Sequence, residues 1–392
     1  MNKIVYISSA FFESSLPLAK HISKNASVSF YGLFSTRFLN PANFDVSNLD
    51  FKNYSINSFE KLSIDKNHPL KDYLQGARLD VNFLVFGKNL FNIVKSVILL
   101  SKNIGKQKPD SIHFIGQSYI FVLFYIFLWS KNLVHSYHEI SFTRINDSRD
   151  LNLKEIFNNF ALRLLVKATI LSKTKIIFHS DNTRDLFAET TSYDNYKVIP
   201  FGLFEIYKNS LIEKDKEFSK DFYLFFGYVR NYKGADVLVN AAREVLIKNS
   251  KLKFIIAGMN ANTLSSNSFP SNILLIDKFL TDGEIANLIS SCKAVIAPHR
   301  VASQSGIPNT SYVFDKPVLC SNVKGLSDFV TDNLNGIIFE SENYQELSKK
   351  ILQLDNDDIL YHSLVDNIRN KVNFDKFNWD LIANSTLDFY KK

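Results

Sequence analysis

The feature that most constrains the fold is a regular alternation of short apolar runs with longer amphipathic segments. Runs such as Lys3–Ser8, Ser111–Ile115 and Lys253–Ala257 have the length of strands, and each is followed by apolar residues at helical spacing. Strands that alternate with helices in this way form parallel sheets covered by helices. The pattern therefore predicts an α/β fold built on parallel sheets.

The alternation is interrupted once, and the interruption divides the chain. Glu205–Lys220 is charged and irregular, and the same alternation restarts at Phe222. A chain of 392 residues is long enough for two domains, each with its own core. We therefore predict an N-terminal domain over residues 1–203, a second domain over residues 204–375, and a closing helix within residues 376–392.

Composition is typical of a folded cytoplasmic protein. Hydrophobic residues make up 46% of the chain and charged residues 22%. The two cysteines, Cys292 and Cys320, lack the spacing of a metal or disulfide framework, and the N-terminus lacks a signal-peptide pattern. The best candidate for a membrane span, Tyr119–Trp129, is shorter than the roughly 20 residues that a span needs. We expect it to be a buried helix beside a sheet.

The net charge of +7 is concentrated in the N-terminal half, where residues 1–200 contain 24 Lys or Arg against 16 Asp or Glu. The lysines are not interleaved with arginine and aromatic residues, so nucleic acid is not an expected partner. An anionic small substrate or an anionic membrane surface fits better. Lysines around VKSVILLSKNIGKQK and along Lys154–Lys175 would hold a peripheral protein on anionic lipid, but solvated helix faces explain them equally well.

Ala294–Ser321 is the first candidate binding segment. Its apolar ends, Ala294–Ala297 and Pro317–Cys320, predict two buried strands. Between them, Ser303–Gly306 is expected to start a helix, with hydroxyls that can cap it and a glycine that lets a ligand approach the backbone. Such a helix start beyond a parallel strand binds anions, although an ordinary Ser-capped helix has the same pattern. The candidate residues are Arg300, Ser303, Gln304, Ser305 and Gly306.

The loop after Phe222–Phe226 is the second candidate. Gly227 permits a close turn, and Gly234 opens a helix. Between them, Arg230 and Lys233 supply two cations, which beside a helix N-terminus suit a diphosphate. A solvated basic turn explains the same residues, so the loop alone does not decide.

His138 is the third candidate, because it directly follows the predicted strand Asn132–Tyr137 and precedes Glu139. Asp355–Asp357 contains an Asp-x-Asp, but it lies in a polar turn without further ligands, so we interpret it as a helix cap and predict no metal site. Three other histidines near strands are expected to be structural: His113, His135 and His179.

Three segments of the second half resemble the donor domain of GT-B glycosyltransferases of the large retaining family 4. The segments are FFGYVRNYKGADVLVNAA, which resembles its phosphate-binding loop, DKFLTDGEIANLISSCKAVIAPHR, which resembles its nucleoside-side helix and following strand, and KPVLCSNVKGLSDFVTDNLNGIIFE, which resembles its closing segment. The resemblance spans Phe222–Leu354, and the N-terminal half resembles the family only in pattern. It implies two Rossmann-like domains facing a cleft, with FNWDLIANSTLDFYKK as a tail helix that returns to the N-terminal domain.

The resemblance also implies an activity. It implies a metal-independent, retaining glycosyltransferase that moves a sugar from a nucleotide-sugar to a glycan or lipid-linked acceptor in surface-polysaccharide synthesis. The nucleotide-sugar is the substrate, and no cofactor is expected. Arg230 and Lys233 would neutralise the charge that develops on the leaving diphosphate, and His138 would lie near the transferred sugar.

One departure from the family pattern keeps two alternatives open. Many members carry two glutamates with seven residues between them before the Pro-Val strand, whereas this chain has Ala302 and Thr310 at those positions and resembles a branch with an S-Q-S-G segment. Thr310 is therefore a donor-side candidate in place of the ribose-binding glutamate. The alternatives are a nucleotide-sugar 2-epimerase and a non-catalytic subunit that binds a sugar nucleotide or glycan.

Overall fold

The computed structural model describes residues 2–35, 69–86, 89–129, 131–138, 153–211, 222–264, 269–302, 304–371 and 374–391. The chain divides into two compact units. Unit 1 comprises Met1–Gly202 and Asn378–Lys392, and unit 2 comprises Leu203–Phe377. Each unit is a parallel sheet with helices packed on it, so the prediction of two Rossmann-like α/β domains is confirmed.

Unit 1 contains a seven-stranded sheet. Its strands are β1 (Lys3–Ser8), β2 (Ser27–Ser35), β3 (Leu79–Phe86), β4 (Ser111–Ile115), β5 (Leu133–Tyr137), β6 (Lys175–Phe178) and β7 (Tyr196–Val198). They lie in the order β3-β2-β1-β4-β5-β6-β7, and every pairing is parallel. The central strands β4 and β5 are buried on both faces, which accounts for their continuous apolar runs.

The helices of unit 1 cover both faces of this sheet. They are α1 (Phe12–Ile22), α2 (Pro69–Tyr73), α3 (Leu90–Gln107), α4 (Ile120–Leu128), α5 (Leu153–Leu171), α6 (Asp181–Ala188) and the tail helix α13 (Trp379–Lys391). Helices α3, α4 and α5 share one core with alternate residues of β1 and β4. Helix α1 packs against α13.

The tail helix α13 is tied into unit 1 by buried polar contacts. The hydroxyl of Tyr390 lies 2.6 Å from the hydroxyl of Tyr6 and 2.6 Å from Nδ1 of His113. The other ring nitrogen of His113 lies 2.8 Å from the Ser136 hydroxyl. At the start of the helix, the Trp379 ring fills the space in which a side chain at Gly202 would lie. These contacts make α13 an integral part of unit 1.

Unit 2 contains a six-stranded parallel sheet in the order β10-β9-β8-β11-β12-β13. Its strands are β8 (Phe222–Phe226), β9 (Lys253–Ala257), β10 (Ile273–Ile276), β11 (Ala294–Ala297), β12 (Val318–Ser321) and β13 (Gly336–Phe339). Its helices are α7 (Ile206–Asn209), α8 (Ala235–Lys248), α9 (Asp282–Ser291), α10 (Ile307–Ser311), α11 (Tyr344–Asn356) and α12 (Asp358–Arg369). Alternate side chains of β8 enter two different cores: Tyr223 lies in one and Leu224 in the other.

The structure differs from the sequence expectations at two elements of unit 1. Strand β3 was not predicted, and it lies at the edge of the sheet, where it pairs with β2. The Tyr119–Trp129 segment was expected to be buried, but only the inward side of α4 is: Ile126 is 63% exposed and Trp129 is 50% exposed. No helix in the described part of the chain combines the length and apolar character required to cross a membrane.

Candidate functional site

The candidate donor site lies at the centre of the unit 2 sheet. Strands β8 and β11 are neighbours there, although they are not consecutive in the chain, so the strand order reverses between them. In open parallel sheets, ligands bind beyond the carboxyl ends of the strands at such a switch point. The loops that begin there are residues 227–234 and residues 298–302.

Two glycines shape these loops. Gly234 has φ +65° and begins α8, and a Cβ atom at this position would lie 1.9 Å from the carbonyl oxygen of Pro298. Gly227 has φ +103°, and its amide donates to the carbonyl of Ala257 at 2.9 Å. Both backbone conformations disfavour other residues. The two loops therefore approach each other at a distance that only Gly234 permits.

Lys233 lies folded back over the turn at Gly227. A Cβ atom on Gly227 would be 3.0 Å from the Lys233 Nζ atom. Within the described ranges, the ammonium group has neither an ion-pair partner nor a hydrogen-bond acceptor. Burial, and then the charge of Arg230, lower the pKa of Lys233 to about 8. The site thus holds a half-buried cation that lacks a counterion.

Arg230 supplies a second cation next to it. The side chain is exposed, and its guanidinium carbon lies 4.7 Å from the centroid of the Tyr228 ring. No carboxylate of the described residues pairs with it. Because like charges repel, Arg230 and Lys233 would both be stabilised by an anion placed between the loops.

His299 is a site residue that the sequence reasoning missed. It is only 3% exposed, and neither ring nitrogen has a hydrogen-bond partner among the described residues. Burial, and then the charge of Lys233, lower the pKa of His299 to about 3, so the ring is neutral and offers one donor and one acceptor. Buried polar atoms are rarely left unpaired. The sequence signal was a histidine directly after the strand-ending Pro298, within the candidate binding segment Ala294–Ser321.

Arg300 was predicted to bind the donor, but its guanidinium is already committed. It donates to Asp236 at 2.7 and 2.9 Å, to Glu342 at 2.7 Å and to the carbonyl of Asn231 at 2.6 Å. Its backbone amide also donates to the carbonyl of Tyr232 at 2.8 Å. These contacts raise the pKa of Arg300 and make it a brace that joins the two loops.

The segment before α10 differs from the Ser-capped helix expected there. Helix α10 begins at Ile307 and has a single turn, and its N-cap, Gly306, makes no side-chain capping bond. The Ser305 hydroxyl accepts a long hydrogen bond, 3.4 Å, from the Ile307 amide. The side-chain amide of Gln304 is buried without a partner in the described part of the chain, and Ser303 lies outside the described residues. A single turn has little helix dipole to offer an anion.

Gly306 and Thr310 have local packing roles. A Cβ atom at Gly306 would lie 2.5 Å from the ring of Phe204, so the glycine makes room for an aromatic side chain and not for open ligand space. The Thr310 hydroxyl donates to the Gly306 carbonyl at 2.9 Å. Within this segment, the side chain of Gln304 and the backbone therefore remain as candidate contacts for the donor.

His138 belongs to unit 1, where it follows β5. It is 3% exposed and stacks on Phe11 with 3.8 Å between ring centroids and 13° between ring planes. Neither ring nitrogen makes a hydrogen bond of normal geometry to a described residue, and burial, followed by the charge of His179, lowers the pKa of His138. The ring lines a cavity of about 10 Å³ with Ser136 and His179, which is enough for roughly one water molecule. Glu139 lies outside the described residues.

His113, His135 and His179 make structural contacts, as expected. His135 lies 2.9 Å from the Tyr125 hydroxyl and 2.8 Å from the Gly116 carbonyl, and His179 bonds the Ile199 carbonyl. In unit 2, the Asp357 side chain caps α12, which confirms the interpretation of that Asp-x-Asp. Among the described residues, there is no cluster of three or more His, Cys, Asp or Glu side chains arranged for a metal ion.

Comparison with known proteins places this geometry in context. Residues 208–371 match the family model described as "Glycosyl transferases group 1". The chain is 24% identical over 337 residues to an uncharacterised glycosyltransferase of Methanocaldococcus jannaschii, and the alignment covers 85% of each protein. It is 23% identical over 260 residues to the capsular polysaccharide biosynthesis glycosyltransferase CapM of Staphylococcus aureus, covering 61% of this chain and 67% of CapM.

The fold is also similar to that of solved structures. The structure of Anabaena HepE in complex with UDP and glucose aligns over the full length of both chains, with a TM-score of 0.66 and 15% identity. The similarity to this structure shows the fold, which is the two-domain GT-B fold, and residues 208–371 are similar to a glycosyltransferase domain.

Proposed function

We propose that the protein is a retaining, metal-independent glycosyltransferase that moves a sugar from a nucleotide-sugar donor to a glycan or lipid-linked acceptor. The observation that carries the proposal is the pair of cations at the unit 2 switch point, Arg230 and Lys233, which have no counterions among the described residues. A donor diphosphate supplies the missing negative charge at this position.

The same residues suit the chemical step. Negative charge grows on the diphosphate as its bond to the sugar breaks, and fixed cations in a partly buried site stabilise that charge. Lys233 and Arg230 provide the cations. The unpaired nitrogens of His299, adjacent to Lys233, provide a neutral donor for a phosphate or a hydroxyl group.

Metal independence and retention are further parts of the proposal. Two preorganised cations supply the charge stabilisation that a divalent ion would otherwise provide. Turnover should therefore be the same before and after treatment with EDTA. Retention follows from the resemblance of the segments around Arg230 and Pro317 to the retaining family, and proton NMR of the anomeric centre in the product checks it.

The proposed acceptor class is based on the biosynthetic process in which a similar protein takes part. CapM acts in capsular polysaccharide biosynthesis, and its similarity to this chain favours a surface-polysaccharide acceptor, either a free glycan or one carried on a lipid. His138, whose ring nitrogens have no hydrogen-bond partner among the described residues, is the residue we assign to the transferred sugar. A lipid-linked acceptor places the enzyme at the cytoplasmic face of a membrane.

The decisive experiment combines donor binding with transfer. A thermal-shift screen against UDP, GDP, ADP and their sugars identifies the nucleotide, and transfer is then measured for Arg230→Ala and Lys233→Ala. We expect each variant to lose about 3 kcal/mol of transition-state stabilisation, roughly a hundredfold in rate, with an unchanged melting temperature. Lys248→Ala, at the opposite end of α8, is the matched control and should retain the parent rate.

Other outcomes would redirect the assignment. Stabilisation by a nucleotide-sugar without hydrolysis or transfer would identify a binding subunit. Conversion of the donor to its 2-epimer would identify an epimerase. Parent rates in both cation variants would refute the assigned roles of Arg230 and Lys233.

A further inference from the structure

The surface on the outer side of α3, α4 and α5, here called the α3–α5 face, is unusual in both charge and hydrophobicity. The three helices follow β3, β4 and β5, and successive right-handed crossovers in one direction place them on one side of the sheet. Their inward side chains, such as Val97, Phe124 and Leu165, share a single core. The opposite sides of the same helices therefore face outward together.

Large apolar side chains remain exposed on this face. Phe91 is 73% exposed, Phe160 is 59% exposed and Trp129 is 50% exposed. Of the exposed large apolar side chains in the described part of unit 1, all but Leu381 lie on or next to these three helices. They are Leu90, Phe91, Leu99, Tyr119, Ile126, Phe127, Trp129, Phe160, Leu164 and Leu171.

The charged side chains of this face that the structure describes are all basic. Between residues 89 and 138, and again between 160 and 180, the only acidic residue is Asp110, which accepts a hydrogen bond from the Lys3 backbone amide at 2.7 Å. None of the exposed cations forms an ion pair with a described carboxylate. The cations are Lys95, Lys102, Lys106, Lys108, Lys131, Arg163, Lys167 and Lys173.

Apolar and cationic residues alternate along the same helical stripes. On α3, one stripe runs through positions 91, 95, 99, 102 and 106, which are Phe, Lys, Leu, Lys and Lys. On α5, positions 160, 163, 164, 167 and 171 are Phe, Arg, Leu, Lys and Leu. Solvation of the helix faces explains the exposed lysines but not the aromatic side chains exposed beside them. Long basic side chains do, however, extend their charged ends past apolar neighbours that enter a lipid layer.

We propose that the α3–α5 face docks on the surface of an anionic lipid bilayer. Aromatic and aliphatic side chains enter the boundary between headgroups and acyl chains, while the lysines contact lipid phosphates. A second copy of the chain is disfavoured, because a two-fold contact would place the same eight cations against each other. Single-stranded nucleic acid uses cations and aromatic rings but gives no role to the exposed leucines and isoleucine.

The proposal deepens the function proposed above by naming the surface that would present the enzyme to a lipid-linked acceptor, but it is tested separately. The full-length protein is sedimented with vesicles of phosphatidylcholine alone or mixed with phosphatidylglycerol. We expect binding only to the mixed vesicles, and binding should weaken as salt increases. Lys95→Glu/Lys102→Glu/Lys106→Glu should lower the partition coefficient by about a hundredfold, because each lost cation alone accounts for about fivefold. The matched control, Lys248→Glu/Lys251→Glu/Lys349→Glu in unit 2, should bind like the parent.

The apolar part of the face has its own readout. The chain contains two tryptophans, and Trp379 is 3% exposed, so a blue shift of fluorescence on adding mixed vesicles reports burial of Trp129. Phe91→Ser/Phe160→Ser should weaken sedimentation at constant charge. Trp129→Phe should remove the fluorescence change while leaving sedimentation intact.

Three results would overturn the proposal: no binding to mixed vesicles at low salt, equal binding by the two lysine variants, or preferential binding of a single-stranded oligonucleotide. A salt-sensitive dimer that forms through this face without lipid would also overturn it. Nucleotide-induced thermal stabilisation should be the same in all of these variants. Failure of membrane binding is thereby distinguished from failure of the proposed donor site.

Discussion

Donor binding should require uptake of a proton by Lys233 at alkaline pH. In the free protein, burial and the charge of Arg230 lower the pKa of Lys233 to about 8, from an ordinary value of 10.5. A diphosphate beside the ammonium favours its charged form and raises the pKa again. The free protein loses this charge as pH rises through about 8, whereas the complex keeps it to a higher pH. Affinity for the donor must therefore fall in that range.

The size of the effect follows from the pKa. At pH 7 about nine tenths of the free protein carries a charged Lys233, and at pH 9 about one tenth does. The dissociation constant of a nucleotide-sugar should consequently rise about tenfold between these pH values, which corresponds to about 1.4 kcal/mol. Proton uptake on binding should approach one per site at pH 9 and should be close to zero at pH 7.

Isothermal titration calorimetry in buffers of different ionisation enthalpy measures both quantities. The ligand should be the nucleotide-sugar selected by the thermal-shift screen. Lys233→Arg is the informative control, because a guanidinium stays protonated throughout this range. It should bind with little dependence on pH and without proton uptake. Equal affinity of the native protein at pH 7 and 9, or an unchanged pH dependence in Lys233→Arg, would refute the reasoning.

Three further predictions concern residues whose roles the structure separates. Arg300→Ala should lower the free energy of unfolding by about 1–3 kcal/mol in urea titrations, because the carboxylates of Asp236 and Glu342 lose their partner. An unchanged midpoint of urea unfolding together with lost donor affinity would instead favour direct donor binding by Arg300. His138→Ala should lower turnover with little change in nucleotide affinity. His138→Phe, which retains a ring against Phe11, should show the same loss of turnover while keeping the parent melting temperature. Normal turnover in the Phe variant would count against a role in sugar binding. Gly306→Ala should cost about 1–3 kcal/mol of stability, and Phe204→Leu in the same chain should restore part of it; additive losses would contradict the proposed clash.

Much of the fold could be predicted because strand and helix periodicities differ. Apart from the edge strand β10, the strands of unit 2 are short apolar runs that are largely buried, and each is bounded by turn residues, so their existence was clear. Strand β3 was not predicted, because it lies at a sheet edge, where Asp80 and Asn82 alternate with apolar residues. Helix α3 continues through Gly105 to Gln107, because burial of Ile104 in the core outweighs the helix-weakening effect of the glycine.

The candidate site was less predictable, for a physical reason. Gly227 and Gly234 could be selected from the sequence because few residues tolerate a positive φ in a tight turn. The commitment of Arg300 to a brace depends on Asp236 and Glu342, which are distant in sequence and come together only in the folded unit. His299 is likewise notable because its ring nitrogens have no hydrogen-bond partner among the described residues. The neighbouring sequence cannot predict that a partner is lacking.

The tail helix has a consequence for how the protein is made. Unit 1 is discontinuous: its first part ends at Gly202, and the helix that completes it begins after the whole of unit 2 has been synthesised. Until then, the Tyr6 hydroxyl and a ring nitrogen of His113 have not met Tyr390, their buried partner. Unit 2 is continuous, so its folding does not wait for the tail helix. Unit 1, although most of it is synthesised first, should therefore complete its fold only once the tail helix is available.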